Sequence, residues 1–218
     1  MSVLPRRFKR IKSVLNKRIQ NLSVLVEGVS KPHNLSAILR TCDAAGVFEA
    51  NFICNKNEVQ TFNSTAQGSQ KWVKVNQYKE TTEAIKVLKK KGFRLYGTNL
   101  NPKSIDYRKC NFKGPTAFVL GAEKWGISEE ASCLMDEHIH IPMRGMVESL
   151  NVSVAASALL FEALRQRQVA NIIPESGEGM SEETYKEKIF EWAYPEVAEW
   201  CKSEGREYPE INEKGEII

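Results

Sequence analysis

One stretch of the sequence decides the fold, and it runs Ile141-Pro-Met-Arg-Gly-Met-Val-Glu-Ser-Leu-Asn-Val-Ser-Val-Ala-Ala-Ser-Ala-Leu-Leu-Phe-Glu162. A short strand from His138 to Ile141 gives way after Pro142 to a polar loop, and a helix rich in small residues follows. Open α/β sheets bind ligands outside the carboxyl ends of their strands, where such loops lie. The stretch therefore predicts a ligand site in an α/β protein. Taken alone, it would also suit an ordinary alanine-rich helix.

Short apolar strands alternate with helices along the rest of the chain. We predict strands at residues 22–29, 51–54, 73–75, 93–98, 117–120 and 138–141. We predict helices at residues 34–45, 81–91, 128–134 and 150–167, with Asn34 and Ser128 placed to cap two of them. This alternation predicts a parallel, doubly wound sheet with helices on both faces.

The composition indicates a globular protein with one main domain. The 218 residues are 42% apolar, and we expect no transmembrane helix and no signal peptide, because apolar runs of the required length are missing. The five cysteines are irregularly spaced without a Cys-x-x-Cys pair, so we expect free thiols in a reducing compartment, the cytoplasm. The three histidines form no helical metal pair, and we expect no metal site.

The net charge of +4 hides a strong asymmetry between the two ends of the chain. From Glu175 onwards there are 13 acidic and five basic residues, a balance of −8, so the preceding residues carry +12. The first 18 residues contain seven basic side chains and no acidic one. Such a basic segment suits a polyanion such as nucleic acid. It also has the apolar spacing of an amphipathic helix, and the two interpretations are compatible.

Three parts follow from these patterns. Residues 1–20 are predicted to be a basic helical arm and residues 21–170 the α/β domain. Residues 171–218 are predicted to be a C-terminal helical extension, which contains a polar linker after Ile173. This extension contains Phe190, Trp192, Tyr194 and Trp200, too many aromatic residues for a disordered tail, and we expect one or two packed helices.

Three segments of the α/β domain carry candidate functional residues. In the helix at residues 34–45, Arg40 falls opposite the apolar stripe, so it should face solvent or a cleft. A glycine turn from Gly121 to Gly126 follows a strand, but it matches neither a phosphate-binding P-loop nor a dinucleotide fingerprint. The third segment is the polar loop at residues 143–151. Each segment read alone would suit a plain surface position.

Together these segments resemble the SpoU/TrmH group of RNA ribose 2′-O-methyltransferases, within the SPOUT superfamily. The matching motifs are Asn34…Arg40, then Gly121-x-Glu123, then Ile141-Pro-Met…Ser149-Leu-Asn151, in family order. The resemblance covers about residues 20–168. The basic N-terminal helix and the tail resemble the members that methylate the D-loop guanosine at position 18 of tRNA. The resemblance thus implies an S-adenosylmethionine-dependent tRNA (guanosine-2′-O)-methyltransferase.

The same resemblance implies a fold and a site that the residue patterns alone do not. The C-terminal part of the sheet would form a deep trefoil knot, one of the exceptions to unknotted connectivity. S-adenosylmethionine would bind bent in this knot, and the chain would act as a homodimer with the small-residue helix in the interface. The implied cofactor-binding residues are Thr98, Asn99, Leu100, Gly121, Ile141, Met143 and Leu150. At Gly121 and Gly145 a side chain would obstruct backbone contact with the cofactor.

The implied catalytic group contains Arg40, Asn34, Glu123, Ser149 and Asn151. An arginine stays protonated in proteins, so we expect Arg40 to bind the neighbouring phosphate and to stabilise developing negative charge, not to act as the base. The basic residues expected to contact RNA are Arg7, Arg10, Arg18, Arg165 and Arg167. Two alternatives remain, an enzyme that methylates ribosomal RNA and a catalytically silent RNA-binding relative. A dinucleotide-dependent oxidoreductase is remote.

Overall fold

The computed structural model describes residues 3–29, 31–54, 71–122, 125–176 and 179–218. The chain divides into two compact units. The sheet unit is Gln20–Ile173, and the terminal unit combines Met1–Ile19 with Pro174–Ile218. The helices are α1 (Pro5–Leu15), α2 (Pro32–Ala44), α3 (Thr81–Lys90), α4 (Glu129–Cys133), α5 (Val152–Val169), α6 (Glu182–Ala193) and α7 (Pro195–Ser203). The strands are β1 (Leu22–Val26), β2 (Glu49–Ile53), β3 (Lys74–Tyr78), β4 (Arg94–Thr98), β5 (Ile105–Asp106), β6 (Thr116–Leu120) and β7 (Glu137–His140).

The seven strands form one sheet in the order β3-β2-β1-β6-β4-β7-β5, and every neighbouring pair is parallel. The central strands β1 and β6 are buried along their whole length, as expected for a sheet covered on both faces. This confirms the predicted α/β class and the parallel sheet. Since all strands point the same way, the carboxyl ends of β4, β6 and β7 meet at one edge.

Helices pack on both faces of this sheet. On one face Leu25, Val119 and Leu95 join a core cluster with residues of α3 and α4. Alternation along β6 turns Phe118 to the opposite face, where its ring lies 4.9 Å from that of Phe112. The backbone N–H of Phe112 donates to the Gln166 side chain of α5 at 2.8 Å, so α5 covers this second face.

Most predicted elements are present within a few residues of their predicted bounds, and two details were wrong. Strand β5 was missed, because its two residues are too short for an alternation pattern. Asn34 does not cap α2, which begins at Pro32 and places Asn34 buried in its first turn. The cap predicted at Ser128 is confirmed, since its side chain accepts a hydrogen bond from the N–H of Ala131.

Arg167 does not lie on the RNA-accessible surface that we predicted for it. It is 2% exposed, and its guanidinium donates to the backbone oxygens of Phe112, Asn21 and Gly114 and to the Asn21 side chain. Burial lowers the pKa of Arg167 to about 10, so it stays protonated at neutral pH. Four acceptors satisfy this buried cation, which ties α5 to the loops before β1 and β6. Arg167 is therefore a structural residue.

Replacing Arg167 with methionine should lower the free energy of unfolding by about 3–5 kcal/mol, because charge-assisted bonds are lost and buried acceptors stay unpaired. Urea unfolding followed by circular dichroism measures this change. The matched control is Arg165→Met on the same helix, whose side chain is 61% exposed and pairs with Glu162. The control should leave the midpoint nearly unchanged. Equal midpoints for the two variants would contradict the structural role of Arg167.

The terminal unit brings the two ends of the chain together. Helix α1 packs against α6, and the apolar side of α1, with Phe8, Ile11 and Leu15, is buried. The predicted C-terminal helices are α6 and α7, with Ser181 capping α6. Gly215 allows the tail to pass close to α1, since a Cβ there would lie 2.5 Å from the ring of Phe8.

The basic residues of the N-terminal segment divide between surface and interior. The exposed ones are Arg6, Arg7, Lys9, Arg10 and Lys17. Arg18 is 2% exposed, with its guanidinium carbon 5.4 Å from the ring centroid of Trp192. The prediction that Arg18 contacts RNA is therefore corrected, because its charged group lies in the interior of the terminal unit.

Candidate functional site

A cavity of about 350 Å³ lies at the carboxyl ends of β4, β6 and β7. This volume is within the range of small-molecule sites, roughly 300–1,000 Å³. All seven residues predicted to bind the cofactor line it: Thr98, Asn99, Leu100, Gly121, Ile141, Met143 and Leu150. The sequence-based grouping of these residues thus corresponds to one place in the fold.

Strand pairing explains why three distant loops meet at this cavity. Strand β4 pairs with β6 on one side and with β7 on the other, so the three strands end side by side. The Thr98 hydroxyl donates to the carbonyl of Val119 at 3.1 Å, and the N–H of Asn99 donates to the carbonyl of Ile139 at 3.1 Å. These bonds hold the beginning of the loop after β4 against both neighbouring strands.

The glycine turn after β6 forms one wall of the cavity and folds back on itself. The Gly126 N–H donates to the carbonyl of Ala122 at 2.8 Å, and Gly126 adopts a φ of +68°. A Cβ at Gly121 would lie 1.9 Å from the carbonyl carbon of Gly126. The close packing of the turn therefore requires glycine at position 121, whereas we had expected contact with the cofactor to require it. At Gly145 a Cβ would meet no described atom within 4 Å, so packing within the protein does not require glycine there, and the expected contact with the cofactor stays a prediction.

Helices α2 and α5 join the first and third motifs. The Asn151 amide donates to the side-chain oxygen of Asn34 at 3.1 Å. Further along both helices, the hydroxyls of Thr41 and Ser157 are 3.0 Å apart, so the helices run side by side in the same direction. Asn151 also caps α5, because its side-chain oxygen accepts from the N–H of Ser153 at 2.9 Å. One side chain therefore fixes the start of α5 and contacts α2.

Arg40 is exposed, as predicted from its position opposite the apolar stripe. Six residues of helix place it about 9 Å along the axis from Asn34 and about 120° around it. It is not among the residues that line the cavity of its own chain, whereas Ser149 is. Glu123 lies outside the described residues. Of the five candidate catalytic residues, Ser149 lies at the cavity, Asn34 and Asn151 form a hydrogen-bonded pair, and Arg40 lies apart on the surface. The fifth, Glu123, is not described by the structure.

Some other residues at the cavity were not among the predicted cofactor-binding or catalytic residues. They are Trp125, His140, Glu148, Ala155 and Leu159. Two signals were available, since Trp125 lies inside the glycine turn and His140 is the last residue of β7. In the described residues, no three side chains of metal-ligating type form a cluster, and no helix is long and apolar enough to cross a membrane.

A parallel sheet with a cavity outside the ends of three strands defines a ligand-binding protein of the doubly wound class. Residues 21–161 match the profile of the SpoU rRNA methylase family, and residues 165–218 match its C-terminal profile. The chain belongs to the SpoU rRNA methylase family. The resemblance identified in the sequence is thereby confirmed.

Relatives in this family include both sequences and solved structures. The chain is 49% identical over 186 residues to the tRNA (guanosine(18)-2′-O)-methyltransferase of Thermus thermophilus, covering 85% of this chain and 95% of that protein. The crystal structure of the Aquifex aeolicus TrmH/SpoU tRNA modifying enzyme has a TM-score of 0.79 at 36% identity, covering 88% of this chain and 97% of that one. The AdoMet-bound rRNA methyltransferase of Sinorhizobium meliloti has a TM-score of 0.60 at 28% identity, covering 69% and 59%.

Proposed function

We propose that this chain transfers a methyl group from S-adenosylmethionine to the ribose 2′-hydroxyl of guanosine 18 in the D-loop of tRNA. The observation that carries the proposal is that Gly121 of the second motif and Ile141, Met143, Ser149 and Leu150 of the third line one cavity at the ends of β4, β6 and β7. The similarity to a tRNA (guanosine(18)-2′-O)-methyltransferase over most of both chains supports the choice of substrate. The expected location is the cytoplasm, where tRNA is found.

The cavity suits S-adenosylmethionine. Its walls combine strand-end backbone with apolar side chains such as Leu100, Ile141 and Leu150, a surface able to hold a nucleoside and the aliphatic part of a methionine chain. When bound, S-adenosylmethionine supplies an electrophilic methyl group on a sulfonium centre. The protein contributes mainly by holding the ribose hydroxyl close to that methyl group and in line with it. Ser149 lies at the cavity and would support the loop that forms its wall.

Arg40 would act on the RNA side of the reaction. Its guanidinium stays protonated, so it cannot accept the proton of the ribose hydroxyl. It would bind the adjacent phosphate through a planar fork and stabilise negative charge on the attacking oxygen, while phosphate or water takes the proton. The hydrogen bond between Asn34 and Asn151 would hold the helix that carries Arg40 in register with the cavity loop.

The C-terminal part of the sheet unit would be threaded into a trefoil knot. The strand order supports this: the chain goes to the sheet edge at β5, returns to β6, and then places β7 between β4 and β5. The side chains of Met135, just before β7, and of Ile127 pack closely on β4 at Gly97, where a Cβ would lie 2.6 Å and 2.8 Å from them. A knot would keep the three cavity loops together without a disulfide.

The chain would act as a homodimer whose site is completed across the interface. Helix α5 is buried on one side, yet it also exposes Val154 and Phe161, 50% and 47% accessible, on another. A helix that is apolar around its whole circumference is normally covered on all sides. A second copy against this surface would cover it. It would also explain why Arg40 is not at the cavity of its own chain.

The exposed basic residues of α1 would bind the phosphates of tRNA. Replacing both Arg7 and Arg10 with glutamine should weaken tRNA binding and reduce the slope of log K against log salt by about 1.5 to 2, because two phosphate contacts are lost. Filter binding over a range of salt concentrations measures that slope. Lys214→Gln, an exposed change elsewhere in the terminal unit, is the control and should leave it unchanged. An unaltered slope for the double variant would remove α1 from the RNA interface.

Methyl transfer from labelled S-adenosylmethionine to unmodified tRNA transcripts tests the proposed function. We expect one labelled ribose, at guanosine 18, when the product is mapped by mass spectrometry. A transcript with 2′-deoxyguanosine at position 18 keeps the base but lacks the acceptor oxygen and should stay unlabelled. Label on ribosomal RNA alone would favour the alternative enzyme. Cofactor binding without label on either RNA would favour the catalytically silent relative.

A further inference from the structure

Glu27 joins three elements of the sheet unit through one carboxylate. It directly follows β1, and its backbone N–H donates to the carbonyl of Leu120 at the end of β6 at 2.8 Å. Its side chain accepts from the Thr81 hydroxyl at 2.6 Å, at the start of α3. It also accepts from the N–H and the hydroxyl of Ser128, both at 2.9 Å, at the start of α4. The two oxygens of one carboxylate thus receive three hydrogen bonds from two helix termini.

The Ser128 end of this arrangement leads directly into the cavity wall. Trp125 and Gly126 line the cavity, Ile127 packs in the core cluster beneath α3 and α4, and Ser128 is bonded to Glu27. Next to Glu27, Gly28 has a φ of +67°, and a Cβ there would lie 3.5 Å from the side chain of Ala122. The turn after β1 therefore lies against Ala122 at the start of the cavity wall, while Glu27 of the same turn is bonded to Ser128 at the end of that wall.

The hydrogen bonds of the Glu27 carboxylate are strong, although Glu27 itself lies outside the cavity. Carboxylate acceptors form stronger hydrogen bonds than neutral groups, and a negative charge is favourable near a helix N-terminus. Glu27 is not among the residues that line the cavity, so it does not contact a bound ligand there. Its influence on the site must pass through Ser128 and the segment before it.

We propose that Glu27 is a positioning residue for the methyl-transfer reaction, holding the segment from Trp125 to Ser128 in the geometry that binds S-adenosylmethionine. The inference rests on the proposed function for the identity of the ligand. Glutamine at this position keeps the shape of the side chain but replaces one acceptor oxygen with a donor. The hydroxyls of Thr81 and Ser128 can turn to accept from that donor, so the substitution mainly removes the negative charge that strengthens all three hydrogen bonds.

Calorimetric titration of the purified protein with S-adenosylmethionine, together with steady-state kinetics, tests the proposal. Glu27→Gln should raise the Kd and the KM for S-adenosylmethionine about tenfold or more, with kcat at saturating cofactor and KM for tRNA within about threefold of wild type. Glu27→Asp should recover part of the affinity. The matched control is Thr81→Val, which removes the bond to α3 and leaves both bonds to Ser128, and it should bind the cofactor nearly as wild type does.

Ser128→Ala gives a second route that leaves Glu27 in place, and it should also weaken cofactor binding. Cofactor affinity at the wild-type level in folded Glu27→Gln and Ser128→Ala variants, with only Tm lowered, would overturn the proposal. A fall in kcat without a change in KM for the cofactor would overturn it too. Wild-type protein that binds S-adenosylmethionine but labels no tRNA would refute the proposed function alone, because the role of Glu27 is decided by the binding constants. Absence of cofactor binding by wild-type protein would refute both.

Discussion

The Arg40→Ala variant is expected to lose methyl transfer, with kcat falling about 10²- to 10³-fold while the Kd for S-adenosylmethionine keeps its wild-type value. The two constants separate because Arg40 is exposed on α2 and does not line the cavity of its own chain. Its proposed contact is made with RNA phosphate and with charge that develops on the attacking oxygen. Single-turnover transfer of labelled methyl to tRNA measures the rate, and calorimetry measures cofactor binding.

Arg40→Lys is the informative companion, because lysine keeps the charge and loses the planar fork. We expect an intermediate rate, and near-full activity with an unshifted pH profile would make a special role for the guanidinium untenable.

Mixing Arg40→Ala with a cavity variant tests whether the protein acts as a dimer. If Arg40 serves the partner's cavity, exchanged subunits should regain about a quarter of the wild-type rate, since half the dimers would hold one complete site. No recovery would place Arg40 and the cavity in the same subunit.

Gly121→Ala should abolish measurable binding of S-adenosylmethionine and lower Tm by several degrees. The new Cβ would lie 1.9 Å from a backbone carbon of Gly126, and backbone cannot move aside as a flexible side chain can. The turn would have to open, and forced repacking of this kind costs about 1–3 kcal/mol or more. Because Gly121, Trp125 and Gly126 all line the cavity, an opened turn also changes the shape of the cofactor site.

Gly145→Ala is the matched control for this prediction. Gly145 also lies in a loop at the same edge of the sheet, but a Cβ there meets no described atom within 4 Å. Its Tm should stay close to wild type in a thermal scan, because no described atom has to move to make room for the new methyl group. If the two alanine variants behaved alike, the close approach within the turn would not be what Gly121 is needed for.

The strands and the cavity were predictable because their signals are local. Apolar runs identify the central strands, and parallel strands that end in polar loops put their carboxyl ends at a common edge. Strand β5 escaped because two residues contain no period. The asparagine at position 34 suggested a cap, whereas the proline at position 32 is the residue with which α2 begins. The residue type of Asn34 suggested a helix cap, but its position inside the first turn of α2 places it in a hydrogen bond with Asn151 instead.

Arg18 and Arg167 are two further residues whose type suggested a function that their position does not allow. Arg167 lies four residues after the buried Ala163 on α5, so helical periodicity alone could have placed it on the buried face. Arg18 lies beyond the end of α1 at Leu15, so its burial is not set by the helical spacing of Phe8, Ile11 and Leu15. The positive charge of both arginines suggested RNA instead. Glu27 could not have been found from periodicity, because its partners lie 54 and 101 residues away along the chain.

The terminal unit has a consequence for the order in which this protein matures on the ribosome. The apolar side of α1 is synthesised well before α6, which begins at Glu182 and covers it. Until that segment emerges, Phe8, Ile11 and Leu15 have no native partner from α6. Transiently exposed apolar surface of this kind is what chaperones bind. The nascent chain should therefore be a chaperone client until α6 has been synthesised, and α1 should become native only then.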